Sequence, residues 1–241
     1  MSMGARRQKC RELIRRYYHD VPSREEILDE TISSVLRPHH VLLDAGCGSD
    51  LPLLKQYGAR TALAVGLDLE TPRLRPEGRV RVLVSDLGQI PLASNSVDVV
   101  ISRSVVEHLE NPIHVFQELH RVLRPQGKIV FTTPNKYYYS CLIARLVPES
   151  AKAYYFRRVF GEDAYDYFPV HYRANTPSEF RRLARTLGFR IQKVKAIRHY
   201  PYYFLFFPLL FRLGTLFDHL ITRWKLDGLQ SNWLVVMEKK S

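Results

Sequence analysis

Cysteine is scarce in this 241-residue chain. It occurs only at Cys10, Cys47 and Cys141, and these wide spacings fit neither a disulfide framework nor a zinc site. We therefore expect a cytoplasmic chain that folds in a reducing compartment and holds no metal. The basic N-terminal residues lack the apolar core of a secretory signal, so we do not expect them to direct secretion.

The sequence also lacks a clean membrane-spanning run. The apolar segment 201–221 approaches the length of a span, but two prolines, a glycine and the charged residues Arg212 and Asp218 interrupt it. It predicts an amphipathic or hairpin lid instead. Such a lid would lie in a membrane interface, or it would pack on its own domain or on a second subunit, and the sequence leaves both open.

Acidic residues are few in the second half. Residues 1–135 carry 18 Lys and Arg against 16 Asp and Glu, whereas residues 136–241 carry 18 against 8. Of the 28 aromatic residues, 23 also lie after residue 135. The first half therefore has the composition of a scaffold, and the second that of a basic, aromatic surface able to bind a partner.

Short apolar runs alternate with helical segments along the chain. The nearly continuous apolar character of these runs is typical of parallel strands covered on both faces, and the alternation predicts an α/β fold with a doubly wound sheet. Helices are expected over 5–36, broken at Val21 and Pro22, within the segment 112–127, where Pro125 and Gly127 stop the helix, and over 176–188. The predicted strands are 41–45, 62–68, 80–86, 97–102, 127–134, 189–197 and 232–240.

A glycine-rich turn follows the first predicted strand. It contains Asp44, Gly46 and Gly48, and glycine lets a ligand approach the backbone closely at the carboxyl edge of an open parallel sheet. Asp68 ends the second strand, where a carboxylate can accept hydrogen bonds from ribose hydroxyls. A dinucleotide fingerprint would require a third glycine at Leu51, and Asp44 would repel a pyrophosphate. The turn therefore suits a cationic, phosphate-free nucleoside better than a dinucleotide.

Further elements follow in a fixed order. Asp86 ends the third strand and Leu87 follows it. Residues 90–92 form an Ile-Pro-Leu turn, Val97-Asp98 opens the fourth strand, and Val106-Glu107-His108 follows that strand. Residues 41–135 thus resemble the class I S-adenosylmethionine-dependent methyltransferases, in particular the broad group that includes the ubiquinone and menaquinone methyltransferases. Two features depart from the family: Asp50 stands where a third glycine is frequent, and the link after Asp68 is too short for a full helix.

The resemblance implies a fold and a set of roles. It implies one Rossmann-like domain over 1–241, with N-terminal helices (1–40), a cofactor-binding half (41–135) and an acceptor-side half (136–241), and a seven-stranded sheet whose last strand is antiparallel. Its cofactor would be S-adenosyl-L-methionine. Asp44, next to Ala45, would lie near the ammonium, Gly46 and Gly48 would line the methionine part, and Arg103 with Ser102 would lie close by. Asp68 would hold the ribose, Leu69 would pack beside the adenine, and Asp86 and Leu87 would recognise its edge.

The insertions 136–175 and 198–231 would both emerge over the active site, and both are aromatic-rich. They suggest an apolar, aromatic or lipid-linked acceptor, such as a quinone precursor, a polyprenyl-linked glycan or a phenol. Methylation at oxygen would benefit from a general base, and His108 and His171 are the candidates, since imidazole accepts protons near neutral pH. Tyr172 or Arg173 could orient the acceptor.

Two other functions remain open. The basic charge permits an RNA methyltransferase, although the aromatic residues cluster with Leu and Phe rather than alternating with cations. Asp50 and the shortened link would also suit a non-catalytic, membrane-associated scaffold that has kept the fold. We expect no nucleic acid partner, and the sequence does not decide the oligomeric state.

Overall fold

A computed structural model describes residues 3–75, 77–160, 169–201, 204–205 and 207–241. The chain divides into two compact units. The sheet unit comprises Ile27–Thr133, Val170–Lys195 and Trp233–Ser241. The helical unit comprises Met1–Glu26, Pro134–Pro169 and Ala196–Asn232.

A seven-stranded sheet, in the order β3-β2-β1-β4-β5-β7-β6, organises the fold. Six strands are parallel and the last is antiparallel, so the predicted fold class is confirmed. The apolar runs of β1, β2 and β4 are almost wholly buried, which explains why they carry so few polar residues. The strands are β1 (Val41–Ala45), β2 (Leu63–Asp68), β3 (Val80–Val84), β4 (Val97–Arg103), β5 (Leu123–Pro134), β6 (Phe189–Ile197) and β7 (Asn232–Lys239).

Strand β3 differs from the expectation that both faces are covered. Leu83 and Val84 are exposed, and no helix forms in the described part of the link between β2 and β3, residues 69–75 and 77–79. The short link was expected, but the exposed strand was not. Strand β3 also ends at Val84, so Asp86 lies just beyond it rather than within it.

The helices of the sheet unit begin and end at clear signals. Helix α7 starts after Thr176, whose hydroxyl accepts from the Glu179 amide, and ends at Gly188 in the left-handed conformation, as predicted. The helix predicted to stop at Pro125 and Gly127 ends earlier, because α4 ends at Val122 and the chain enters β5 directly. The helices that begin in or belong to this part of the chain are α2 (Arg24–Val35), α3 (Pro52–Tyr57), α4 (Pro112–Val122) and α7 (Pro177–Leu187).

The helical unit has its own buried centre. A small apolar cluster includes Leu13 of α1 and Phe211 of α8. Within the same unit, the Asp218 carboxylate accepts hydrogen bonds from the hydroxyls of Tyr18 (2.7 Å) and Tyr138 (2.9 Å). The helices of this unit are α1 (Met3–Tyr17), α5 (Tyr139–Leu146), α6 (Glu149–Phe160) and α8 (Pro208–Arg223).

Candidate functional site

The glycine-rich turn folds back over the end of β2. The backbone amides of Gly46 and Cys47 donate to the Leu67 carbonyl, at 2.8 and 3.1 Å, and both Gly46 (φ 81°) and Gly48 (φ 67°) are left-handed. A Cβ on Gly46 would collide with the Val105 side chain, whereas a Cβ on Gly48 would meet nothing within 4 Å. The turn thus leaves an open space above Gly48.

At the carboxyl edge of the sheet, Asp44 has a strongly raised pKa. It is fully buried at the end of β1, and among the described residues neither of its carboxylate oxygens has a hydrogen-bond partner. Burial raises the pKa of Asp44 to about 7, helped by the nearby Asp68 charge and opposed by Arg103. A buried, unpartnered carboxylate is costly unless a cation joins it.

Asp68 at the end of β2 lies next to this space. One of its carboxylate oxygens accepts from the Gly48 amide at 2.8 Å and the other from the Glu70 amide at 3.2 Å. A carboxylate has capacity for further bonds, and Asp68 is only half-buried, so its free lone pairs can take two hydroxyls. Leu69 follows Asp68, and 60% of its surface is exposed.

Asp86 and Leu87 lie in the turn after β3. The Asp86 carboxylate accepts from the Gly88 amide at 2.6 Å and is exposed, and Leu87 is half-buried. The segment that follows is fixed by Arg121 of α4, whose guanidinium donates to the carbonyls of Ile90 (2.7 Å) and Leu92 (2.8 Å). Arg121 is itself paired with Glu118. This clamp was not predicted from the sequence.

The end of β4 supplies the third side of the site. The Ser102 hydroxyl donates to the Ala45 carbonyl at 2.8 Å, so it joins β4 to β1 rather than pointing to a ligand. Arg103 is close enough to lower the pKa of Asp44. Ser104 then has a left-handed backbone (φ 59°), as does Tyr172 (φ 52°), and such strain concentrates at functional sites.

The segment with His171 is hydrogen-bonded to the segment with His108. His108 ends a single 3₁₀ turn, Val106–His108, and the amides of His171 and Tyr172 donate to the Glu107 carbonyl at 2.8 and 3.1 Å. Arg173 donates to the Glu110 carbonyl. The structure therefore brings the two candidate histidines to the same end of β4, and both are half-buried.

The sequence of residues 43–131 matches a family described as a methyltransferase domain. The chain is 37% identical over 103 residues to a probable S-adenosylmethionine-dependent methyltransferase of Mycobacterium tuberculosis, covering 41% of this chain and 37% of that relative. It is 28% identical over 170 residues to a ubiquinone biosynthesis O-methyltransferase of Cupriavidus pinatubonensis, covering 66% of this chain and 64% of that relative. The chain thus spans less than two thirds of the length of either relative.

A solved structure supports the same assignment at the level of the fold. The S-adenosylmethionine-dependent methyltransferase of Mesorhizobium loti superposes with a TM-score of 0.59 at 18% identity, covering 88% of this chain and 98% of that one. Residues 43–131 thus match the methyltransferase domain family, and the fold is that of S-adenosylmethionine-dependent methyltransferases.

The residues of this methyltransferase domain fit the family's cofactor, S-adenosyl-L-methionine. The unpartnered Asp44 carboxylate would meet the cationic end, the space above Gly48 would admit the methionine part, and Asp68 retains acceptors for the ribose. Exposed Leu69 offers an apolar surface for the adenine. The individual ligand roles of these residues, and those of Ala45, Asp86, Leu87 and Arg103, stay predictions.

Three buried polar residues beside the site form a network that the sequence analysis did not predict. The Glu107 carboxylate accepts from the Thr133 hydroxyl at 3.0 Å, and the Asn175 amide donates to the same hydroxyl at 2.5 Å. All three side chains are nearly or fully buried. The sequence analysis identified Glu107 only as part of the Val106-Glu107-His108 motif. The network instead ties the turn after β4 to the end of β5 and to the segment after His171.

Proposed function

We propose that this chain transfers the methyl group of S-adenosylmethionine to an oxygen atom of an apolar, aromatic or lipid-linked acceptor. The observation that carries the proposal is the buried, unpartnered carboxylate of Asp44 beside an open glycine turn. Such a group suits an ammonium ligand and would repel the phosphates of a dinucleotide. Transfer to oxygen is supported by the ubiquinone biosynthesis O-methyltransferase among the relatives.

The bound cofactor supplies an electrophilic methyl group on a sulfonium, and transfer is an in-line displacement by the acceptor oxygen. The chain's own part is to hold the two molecules in line and to exclude water. Asp44 would hold the amino-acid end of the cofactor and Asp68 its ribose.

We assign the general-base role to His108 or His171. The hydrogen bonds from His171 and Tyr172 to the Glu107 carbonyl keep both histidines at the carboxyl end of β4, on the edge that bears Asp44. A base there would remove the hydroxyl proton of the acceptor as the new carbon–oxygen bond forms. Tyr172 would orient the acceptor, whereas the Arg173 side chain is engaged by Glu110 and is the weaker candidate.

We also propose that the protein works in the cytoplasm, at the inner face of a membrane. A lipid-linked acceptor would be presented there. The basic excess of residues 136–241 suits the anionic surface of that leaflet.

The test is methyl transfer from S-adenosylmethionine labelled in its methyl group. The purified protein is incubated with lipid extracts, short-chain ubiquinol precursors or total RNA, and label is counted in each after separation. The proposal expects label in an organic-soluble product, and alkaline stability of that product separates an ether from an ester. Label confined to RNA would establish the rival RNA methyltransferase, and label in no fraction from a protein that binds the cofactor would favour a scaffold.

Histidine variants test the assignment of the base. We expect His108→Ala or His171→Ala to lower kcat by about 10²–10⁴-fold at unchanged cofactor affinity. His19→Ala, which changes an exposed histidine paired with Asp20, is the matched control. If both site variants keep normal turnover, catalysis occurs by alignment alone.

A further inference from the structure

Helix α8 exposes a stripe of leucines. Its inward face is formed by Phe211, Gly214, Thr215, Asp218 and Ile221, which are buried within the helical unit. The leucines repeat at helical spacing on the opposite side of the helix, since residues 4, 7 and 11 positions apart share one face. Their exposed fractions are 71% for Leu209, 55% for Leu213, 56% for Leu216 and 38% for Leu220.

The flank of this leucine stripe is cationic. Residues 208–226 are all described, and their exposed charged side chains are Arg212, Arg223 and Lys225. Arg212 and Arg223 are 11 residues apart and so lie along the same side of α8, beside the stripe. The acid in this segment, Asp218, is buried and accepts from two tyrosine hydroxyls.

An exposed tryptophan marks the end of the helix. Trp224 directly follows α8 and is 65% exposed, and Leu226 beyond it is 42% exposed. Tryptophan with nearby Lys or Arg is typical of the boundary between headgroups and acyl chains.

A second group of exposed apolar side chains lies in the helical unit. Helix α5 exposes Leu142, Ile143 and Leu146, the last at 85%. Its first residue, Tyr139, packs against Phe217 of α8 with ring centroids 5.1 Å apart. Two helices of the helical unit that meet through these rings thus both expose aliphatic side chains, and large exposed apolar patches mark interaction surfaces.

The dimensions of α8 suit a helix that lies on a membrane. Its 16 residues span about 24 Å, less than the hydrocarbon thickness of about 30 Å. No helix among the described residues is long and apolar enough to cross a bilayer.

We infer that the leucine stripe of α8 docks on an anionic phospholipid surface, with the leucines in the acyl boundary and Arg212, Arg223 and Lys225 among the headgroups. The alternative occupant is a second copy of the chain. Antiparallel pairing of two such stripes would bring their cationic flanks together along one edge, which opposes association. The inference deepens the proposed function, because it names the surface through which a lipid-linked acceptor would be reached.

Vesicle co-sedimentation tests the inference with the full chain and no cofactor. We expect binding to vesicles of equal phosphatidylcholine and phosphatidylglycerol, weak binding to phosphatidylcholine alone, and loss of affinity as salt increases. Leu213→Gln with Leu216→Gln should weaken binding at least tenfold. Ile113→Gln, which changes an exposed aliphatic residue of α4 in the sheet unit, should leave it unchanged.

A charge pair provides a second test that leaves the apolar face intact. Arg212→Gln with Arg223→Gln should remove most of the preference for anionic vesicles, while Arg181→Gln with Arg185→Gln on the exposed side of α7 should keep it. Circular dichroism establishes that each variant is folded.

Two results would overturn the inference. One is wild-type protein that ignores anionic vesicles. The other is a dimer, measured by light scattering, that Leu213→Gln with Leu216→Gln converts to a monomer. Cofactor titration of the same samples distinguishes the two proposals. A wild-type protein that binds the cofactor but not the vesicles contradicts only the membrane surface. A wild-type protein that binds the vesicles but not the cofactor contradicts only the proposed enzyme.

Discussion

Ionisation of Asp44 should control the pH dependence of cofactor binding. In the proposed site the cofactor's ammonium would bind the ionised carboxylate of Asp44, and in the free site burial raises the pKa of Asp44 to about 7. About half of the sites are then ionised at pH 7 and about one in eleven at pH 6. We therefore expect the affinity for S-adenosylmethionine to fall about fivefold between pH 7 and pH 6. An α-amino group titrates near 8, so the ligand's charge hardly changes over this interval.

The assay is calorimetric titration at pH 6.0, 6.5 and 7.0 (values chosen about the pKa of about 7) with wild type and Asp44→Asn. Buffers of different ionisation enthalpy report proton release on binding, which should grow as the pH falls. The variant should bind more weakly and show no pH dependence in this interval. A wild-type affinity that is constant or rises towards pH 6 would refute the assignment of Asp44 to the ammonium.

The same carboxylate should destabilise the free protein. Its folded pKa lies above its unfolded value of 3.8, so the native state holds the proton more tightly and stability falls as pH rises from about 4 to about 7. The shift corresponds to at most about 4 kcal/mol, part of which an unpaired asparagine amide would retain. Asp44→Asn should therefore raise the melting temperature of the free protein at pH 8. A lower melting temperature would mean that Asp44 is paired in solution.

Three further predictions follow from other contacts. Gly46→Ala should abolish cofactor binding, because a Cβ there collides with Val105 and the φ of 81° is unfavourable for alanine. Gly48→Ala should lower the folding stability less, but its Cβ would still fill the space above the turn. Thermal shift with and without S-adenosylhomocysteine measures both effects. Arg121→Ala should weaken cofactor binding several-fold and lower the free energy of unfolding by about 1–3 kcal/mol, because it frees the turn at Ile90–Leu92. Arg124→Ala, which removes an exposed partner of Asp98, should lower the free energy of unfolding in urea by under about 1 kcal/mol. Equal effects of the two variants would contradict the role of Arg121. Asp218→Ala should destabilise the protein by about 2–4 kcal/mol by leaving the buried hydroxyls of Tyr18 and Tyr138 without their acceptor, and a loss no larger than that of Asp227→Ala would contradict this.

Local patterns were enough to predict the sheet. The apolar runs of β1, β2 and β4 had few polar residues because both faces are buried, and β6, predicted over 189–197, begins and ends as expected. The Thr176, Pro177 and Glu179 signal placed α7 to within a residue, since a cap acts on its own helix.

Other boundaries depend on irregular backbone that composition does not reveal. Pro125 and Gly127 were predicted to stop helix α4, but Leu123 already pairs with Val97 in the sheet. The extended strand is possible because Gln126 adopts a positive φ of 65° and the register shifts between Val97 and Val99. A non-glycine residue in that conformation gives no signal in the sequence.

The parts of the site that depend on distant partners could not be predicted. Glu107, Thr133 and Asn175 are far apart in sequence and meet only once the sheet has formed. Outside the site, Tyr18 and Asp218 of the helical unit are likewise separated by 200 residues. The glycine turn and Asp68 could be predicted because both lie at strand ends that a parallel sheet always brings to one edge.

The measurement that tests the central claim most directly is calorimetric titration of the purified protein with S-adenosylmethionine and S-adenosylhomocysteine, with NAD as the negative control and Asp68→Ala against Asp227→Ala as matched variants. The account predicts binding of both sulfur nucleosides at one site per chain, no binding of NAD, loss of binding in Asp68→Ala and normal binding in Asp227→Ala. A folded protein that binds neither nucleoside, or that binds NAD instead, would contradict it.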